Sequence, residues 1–85
     1  MGQFDVRVVP SVRKDLRGIP KNVVRRILDA IEGLSANPRP PGCKKLTSTN
    51  LYRLRSGSYR IVYEINEAEV VVIVVKVGHR KEVYR

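Results

Sequence analysis

Cysteine and histidine are almost absent from this chain. Its 85 residues include one of each, Cys43 and His79. A single cysteine cannot form a disulfide within the chain, and one cysteine with one histidine falls short of the ligand set of the usual zinc sites. We therefore expect neither a metal ion nor another cofactor.

Long hydrophobic runs are absent too. The longest, Val70–Val75, is far shorter than the roughly 20 apolar residues that span a bilayer as a helix. Residues 4–8 alternate like a strand, where a signal peptide would have a basic stretch followed by an apolar run, so no export signal is predicted. We expect a single cytoplasmic domain over residues 1–85 that does not bind a membrane.

Acidic residues are scarce relative to basic ones. The chain has 8 Asp and Glu against 17 Lys and Arg, which gives a net charge of +9. The excess is spread evenly, with eight basic and four acidic side chains in residues 1–43 and nine and four in residues 44–85. A folded body that is basic throughout favours a nucleic acid or another polyanion as its partner over a small neutral ligand.

Hydrophobic periodicity predicts an α+β domain with the element order β-α-α-β-β-β. Residues 4–9 alternate as a strand, and a short helix capped by Ser11 should end at Gly18. A second helix should begin near Pro20, with apolar residues three and four positions apart, and end before the prolines of residues 38–41. The apolar face of the second helix is predicted to comprise Val23, Val24, Ile27, Leu28, Ile31 and Leu34.

The last three predicted strands form an antiparallel meander. Residues 70–75 are Val or Ile throughout, which is typical of a strand with neighbours on both sides. We place that strand inside the sheet, with the first strand of the chain on its free side, so that the four strands lie in the order 2-3-4-1. The two helices are then packed on one face of the sheet.

The hairpin over residues 52–63 points most directly to function. Gly57-Ser58 suits a two-residue turn with glycine first, which places Arg55 opposite Arg60. Strand alternation then puts Arg53 on the same face as these two arginines. Like charges opposite each other destabilise a ladder, so the pattern indicates an anion-binding face that the helices leave open. The other face should carry Tyr52, Leu54, Tyr59, Ile61 and Tyr63 beneath the helices.

Together these features resemble the RelE/ParE superfamily of bacterial and archaeal toxins. The resemblance lies in the element order, the proline-rich loop, Lys45-Leu46, the Arg-x-Gly-x-Tyr-Arg run of residues 55–60, the valine strand and the Gly-His-Arg-Lys-Glu-Val-Tyr segment of residues 78–84. It covers nearly the whole chain and is strongest for the RelE type. It implies a toxin of a type II toxin–antitoxin system that cleaves mRNA in the ribosomal A site and is neutralised by a cognate antitoxin.

The resemblance also implies site residues. The basic positions of the family's second strand fall on Arg53 and Arg55, and the arginine that opens its third strand falls on Arg60. Its C-terminal arginine and tyrosine fall on Arg80 and Tyr84. The best-studied RelE type has lysines on the second strand, whereas arginine stays protonated and therefore clamps phosphate rather than accepting a proton.

Cleavage of RNA needs charge stabilisation and proton transfer more than an external nucleophile, because the 2′-hydroxyl attacks its own phosphorus. We expect Arg60 and Arg80 to stabilise the transition state. Proton transfer stays open between His79, which has the better intrinsic pKa, and Tyr84, whose pKa neighbouring arginines would lower. The basic residues expected to bind or steer RNA are Arg53, Arg55, Lys44, Lys45 and Lys81.

Two other functions stay open at this stage. One is a toxin of the ParE kind, which shares the fold but inhibits DNA gyrase and lacks the catalytic constellation. The other is an inactive basic module that binds nucleic acid. The presence of Arg60, Arg80 and Tyr84 favours the nuclease. A small acidic or amphipathic antitoxin segment that folds on the surface is the expected protein partner.

Overall fold

The computed structural model describes residues 3–79, which form two helices and a five-stranded sheet. Arg80, Lys81 and Tyr84 of the predicted site lie outside the described residues. In chain order the elements are β1 (Asp5–Val8), α1 (Pro10–Leu16), α2 (Lys21–Gly33), β2 (Lys44–Lys45), β3 (Leu51–Ser56), β4 (Tyr59–Asn66) and β5 (Val71–His79).

The sheet confirms the predicted strand order. Its strands lie in the order β1-β5-β4-β3-β2. β3, β4 and β5 form the antiparallel meander, and β1 pairs in parallel with the outer side of β5. The two-residue strand β2 adds an edge beside β3 that the periodicity did not predict. Within residues 3–79, neither helix is long and apolar enough to cross a membrane.

The first helix begins two residues earlier than predicted. Pro10 is its first residue, and its fixed backbone angle suits that position. Val9 precedes the helix with φ −68° and ψ 149°, and no side chain caps this end, so the prediction that Ser11 caps the helix is wrong. Beyond the other end, Gly18 has φ +82°, a left-handed conformation that favours glycine.

The hydrophobic core lies between the two helices and one face of the sheet. Ile61 and Tyr63 of β4 are fully buried there, as the alternation of that strand predicts. Burial of apolar surface is the main stabilising term for a domain of this size. The buried cluster comprises Val12, Ile27, Ile31, Leu34, Ile61, Tyr63, Val72, Val74 and Val77.

The apolar face of α2 is narrower than predicted. Ile27 and Ile31 are buried one turn apart, whereas Leu28 is 47% exposed. Successive helical residues are about 100° apart around the axis, so Leu28 lies beside the buried stripe rather than on it. The prediction that Leu28 belongs to the core is therefore wrong.

Candidate nucleic-acid interface

The arginine hairpin has the predicted register. Arg55 pairs with Arg60 and Arg53 pairs with Val62 across β3 and β4. Gly57 has φ +59°, the positive value that a two-residue hairpin turn requires of its first central residue. The side chains of Arg53, Arg55 and Arg60 therefore share one face of the sheet.

That face lies away from the helices. Ile61 is the chain neighbour of Arg60 and is fully buried in the core on the helix-covered side. Because side chains alternate along a strand, Arg60 and its partner Arg55 point to the opposite side. This part of the prediction is confirmed.

The expectation of an open arginine face is wrong for two of the three side chains. Arg53 is 8% exposed and Arg60 is 7% exposed, whereas Arg55 is exposed to solvent. Charges act on an anion more strongly where water is excluded, because the local dielectric is lower. A guanidinium group sheltered from water would therefore act more strongly on a nearby anion than a solvated one.

The edge strand β2 brings a lysine to the same face. Lys44 pairs with Arg53, and Lys45 pairs with Tyr52, whose ring stacks on Tyr63 of the core at 5.9 Å. Lys44 therefore joins the arginines, while Lys45 lies on the other face. We call the adjoining recess the arginine cleft. It has a volume of about 300 Å³ and is lined by Gly42, Lys44, Arg53 and Arg55.

The predicted histidine lies on the wrong face to meet the arginines. β5 continues through Gly78 to His79, which pairs with Tyr59. The two rings meet edge to face, with centroids 5.7 Å apart and an interplanar angle of 81°. Since Tyr59 shares the helix-covered face with Ile61, the structure does not bring His79 together with Arg55 and Arg60.

Arg39 is a residue that the sequence reasoning missed. Its guanidinium donates hydrogen bonds from Nη2 to Glu67 Oε1 at 3.1 Å and to the Tyr52 hydroxyl at 3.3 Å. It also lies 5.2 Å from the centroid of the Tyr52 ring. The hydrogen bonds to Tyr52 and Glu67 raise the pKa of Arg39. An arginine among prolines was the available signal, since a stiff loop holds such a side chain in one place.

The proline-rich loop has a second attachment to the core. The hydroxyl of buried Tyr63 donates a hydrogen bond to the Pro38 carbonyl oxygen at 2.8 Å. Burial raises the pKa of Tyr63, and the neighbouring Cys43 thiol raises it further. The loop leads directly to Gly42 and Lys44, so these attachments position one wall of the arginine cleft.

Groups that could hold a metal are missing from the described part of the chain. Among residues 3–79, no three His, Cys, Asp or Glu side chains come together in a possible metal site. At the arginine cleft, guanidinium and ammonium groups are present, and such groups bind phosphate and stabilise negative charge on it.

Comparison with known proteins identifies relatives along the whole chain. Residues 6–84 match the family model of the ParE toxin of the type II toxin–antitoxin system, parDE. The chain is 30% identical to the putative toxin RelE1 of Methanocaldococcus jannaschii, over 98% of this chain and 97% of that protein. It is 32% identical to the mRNA interferase toxin RelE of Escherichia coli, over 95% of this chain and 85% of that protein.

Solved structures show the same fold. The archaeal RelE–RelB complex from Pyrococcus horikoshii superimposes with a TM-score of 0.83 at 31% identity, covering 94% of this chain and 98% of that one. The isolated RelE toxin of E. coli superimposes with a TM-score of 0.74 at 28% identity, covering 95% of this chain and 90% of that one. Sequence and backbone thus agree on the same group of proteins.

Proposed function

The chain belongs to the ParE toxin family of type II toxin–antitoxin systems and is a toxin of the RelE type, and from that premise we propose that it is an endoribonuclease that cleaves mRNA on the ribosome. The observation that carries the proposal is the arginine face of the sheet: Arg53 and Arg55 line the arginine cleft, and the sheltered Arg60 lies directly opposite the accessible Arg55. A relative that is 32% identical bears the name mRNA interferase, which supports the same activity here.

The proposed reaction uses a nucleophile that belongs to the RNA. The 2′-oxygen loses its proton and bonds to the adjacent phosphorus, the bond from phosphorus to the 5′-oxygen breaks, and the 5′-oxygen takes up a proton. The products are a 2′,3′-cyclic phosphate and a 5′-hydroxyl end. The protein must align the strand and stabilise the extra negative charge on the phosphate.

The arginines of this face of the sheet fit these two tasks. Arg60 would stabilise the transition state, and its burial directly opposite Arg55 supports this role. Arg53 and Arg55, with Lys44 beside them, would hold the scissile and adjacent phosphates. Arg80 is proposed as the second arginine at the transition state.

Proton transfer is assigned to Tyr84. His79 contacts Tyr59 on the helix-covered face, so it does not share a face with the arginines. A tyrosine held among several arginines has its pKa lowered, because nearby positive charge favours the phenolate. Tyr84 would accept the proton of the 2′-hydroxyl in that form.

The proposed protein partner is a cognate antitoxin, and the proposed location is the cytoplasm. The relatives from P. horikoshii and M. jannaschii were solved as complexes of RelE with RelB. The net charge of +9 suits an acidic or amphipathic antitoxin segment as well as RNA. Ribosomes translating mRNA place the substrate in the cytoplasm.

Inhibition of DNA gyrase is the second candidate function. The observation in its favour is that the family model matching this chain is described as the ParE toxin of the parDE system. A toxin of that kind needs a protein-binding surface and no cleft for a scissile phosphate. The sheltered arginines count against it, because binding gyrase does not require them.

Primer extension on mRNA translated in vitro tests the proposal. The wild-type protein should produce discrete cuts with 2′,3′-cyclic phosphate ends, and Arg60→Met should lower the rate by about 100-fold or more. Methionine keeps the buried aliphatic volume of Arg60 and removes its charge. Arg26→Met on the exposed side of α2 removes the same charge elsewhere and should retain the wild-type rate.

A supercoiling assay run in parallel decides between the candidates. If the wild-type protein leaves ribosome-bound mRNA intact but blocks gyrase, the nuclease proposal fails and gyrase inhibition takes its place. Equal rates for Arg60→Met and Arg26→Met would remove Arg60 from the mechanism.

A further inference from the structure

A second cleft opens at the same end of the sheet, on the helix-covered face. Its volume is about 440 Å³, larger than that of the arginine cleft. Tyr59 and His79 form its aromatic side, and the residues that follow α1 form the opposite side. We call it the aromatic cleft, and its lining includes Arg17, Ile19, Tyr59, Lys76 and His79.

Tyr59 differs from the other two tyrosines of this face in its hydrogen bonding. The Tyr63 hydroxyl donates to Pro38, and the Tyr52 hydroxyl accepts from Arg39. Within residues 3–79, the Tyr59 hydroxyl has no hydrogen-bond partner, and the side chain is only half-buried. Its ring therefore presents both apolar area and a polar end to whatever enters the cleft.

Lys76 and Arg17 both line the aromatic cleft, and they differ in whether an acidic side chain pairs with them. Lys76 donates from Nζ to Asp15 Oδ1 at 3.2 Å, and the Val77 backbone N–H donates to Asp15 Oδ2 at 3.1 Å. Asp15 and Lys76 thus neutralise each other. Arg17 is exposed and forms no ion pair within residues 3–79. The cleft therefore combines aromatic rings with one free guanidinium group.

Residues of the two clefts lie in adjacent rows of the same sheet ladder. Arg55, Arg60 and Gly78 lie opposite one another across three strands, and Ser56, Tyr59 and His79 form the next row toward the sheet end. Successive residues of a strand are about 3.3 Å apart and point to opposite faces. A chain that bends around this sheet end can contact both the arginine pair and the aromatic pair.

We propose that the aromatic cleft binds a nucleobase of a single-stranded RNA whose neighbouring phosphate lies at Arg55 and Arg60. Tyr59 and His79 supply the stacking surface, and Arg17 contacts the phosphate on the far side of that base. Base stacking on aromatic side chains tolerates any base, because every base has a π-face. This inference rests on RNA being the partner of the arginine cleft, as the proposed function states.

Binding measured without cleavage separates the two proposals. The probe is a single-stranded 2′-O-methyl RNA, which lacks the nucleophilic hydroxyl, and inorganic polyphosphate serves as a base-free polyanion. Tyr59→Leu should weaken RNA binding by about 5- to 150-fold and leave polyphosphate binding unchanged. Tyr59→Phe should retain wild-type RNA affinity, because it keeps the ring and loses only the hydroxyl.

Two further variants keep the test decisive. Arg55→Met should weaken the binding of both probes, since both carry phosphate. Arg17→Met, at an exposed position, should reduce the slope of log affinity against log salt for RNA by about 0.7. Thermal unfolding of each variant confirms that it is folded.

Two outcomes would overturn the base site. One is equal RNA affinity for Tyr59→Leu, Arg17→Met and the wild type, as expected if an acidic peptide occupies the cleft instead. The other is a parallel loss of RNA and polyphosphate binding in Tyr59→Leu. If the wild-type protein cuts no mRNA while Tyr59→Leu selectively loses RNA affinity, the nuclease proposal fails and the base site stands.

Discussion

The two faces of the sheet bury different kinds of side chain: one buries apolar residues and the other buries arginines. On the helix-covered face, Ile61 and Tyr63 are fully buried among apolar side chains, and the Tyr63 hydroxyl donates a hydrogen bond to the Pro38 carbonyl oxygen. On the other face, Arg53 and Arg60 are almost as buried, and Arg60 lies directly opposite Arg55. The first arrangement maximises stability, whereas the second keeps positive charges close together in spite of their repulsion.

Under the proposed function, this difference separates residues that stabilise the fold from residues that bind RNA along a single strand. Burial of charge is unfavourable unless the environment compensates for it. Neighbouring residues of β4 thus differ in what they bury, with Ile61 in the hydrophobic core and Arg60 among the proposed phosphate-binding arginines. Substitutions on the two faces should accordingly change different measurable quantities.

The largest effect on stability is expected on the helix-covered face. Ile61→Ala removes fully buried apolar atoms and leaves a cavity, so the free energy of unfolding should fall by about 2–5 kcal/mol. Urea denaturation followed by circular dichroism measures the change. A loss below about 1 kcal/mol would show that this face is not the main source of stability.

The matching change on the other face should act on binding. Arg53→Met keeps the buried aliphatic volume and removes a charged hydrogen-bond donor, so KM for ribosome-bound mRNA should rise by about 10- to 150-fold. The free energy of unfolding should stay within about 1 kcal/mol of the wild-type value. Unfolding of Arg53→Met as severe as that of Ile61→Ala would contradict the division between the two faces.

Tyr63→Phe tests the polar contact beneath the helices. Loss of the hydrogen bond to the Pro38 carbonyl should lower the free energy of unfolding by about 1 kcal/mol at neutral pH. The measurement is urea denaturation of both proteins under identical conditions. Stability equal to the wild type would show that the loop does not depend on this bond.

The same pair of proteins gives a pH dependence with a definite sign. Burial raises the pKa of Tyr63 in the folded state above its unfolded value of about 10. The folded protein therefore holds this proton more tightly, and the resulting stability is complete below pH 10 and declines as the pH rises further. The advantage of wild type over Tyr63→Phe should shrink above pH 10, and a constant difference would contradict the raised pKa.

The smallest effect is expected at the proline-rich loop. Arg39 and Glu67 form an exposed ion pair, with side chains 43% and 67% exposed, so Arg39→Ala should cost less than about 1 kcal/mol of stability. Because the loop forms a wall of the arginine cleft, the variant should still raise KM severalfold. Unchanged KM would mean that the Tyr63 attachment alone positions the loop.

Local rules were sufficient where neighbours along the chain decide the outcome. The Gly57 turn and strand alternation predicted the Arg55–Arg60 pairing, because a two-residue turn sets the register by itself. Local rules were insufficient where a helix end or a helix face depends on packing against distant segments. The cap predicted at Ser11 and the burial predicted for Leu28 failed for that reason.

The site was predictable in composition and register but not in three dimensions. Three arginines on one sheet face follow from the order of residues in the hairpin. Their shelter from water does not, because burial depends on segments that are distant in sequence. The contact of Arg39 with Glu67 spans 28 positions and follows no periodicity.

The amino-acid sequence alone determined the basic charge, the strand order and the common face of Arg53, Arg55 and Arg60, because side-chain alternation and turn geometry are local properties. Only the tertiary structure decided that two of these arginines are sheltered and that His79 meets Tyr59 on the opposite face. Exposure and cross-strand contact depend on which distant segments meet in space, and no local pattern carries that information.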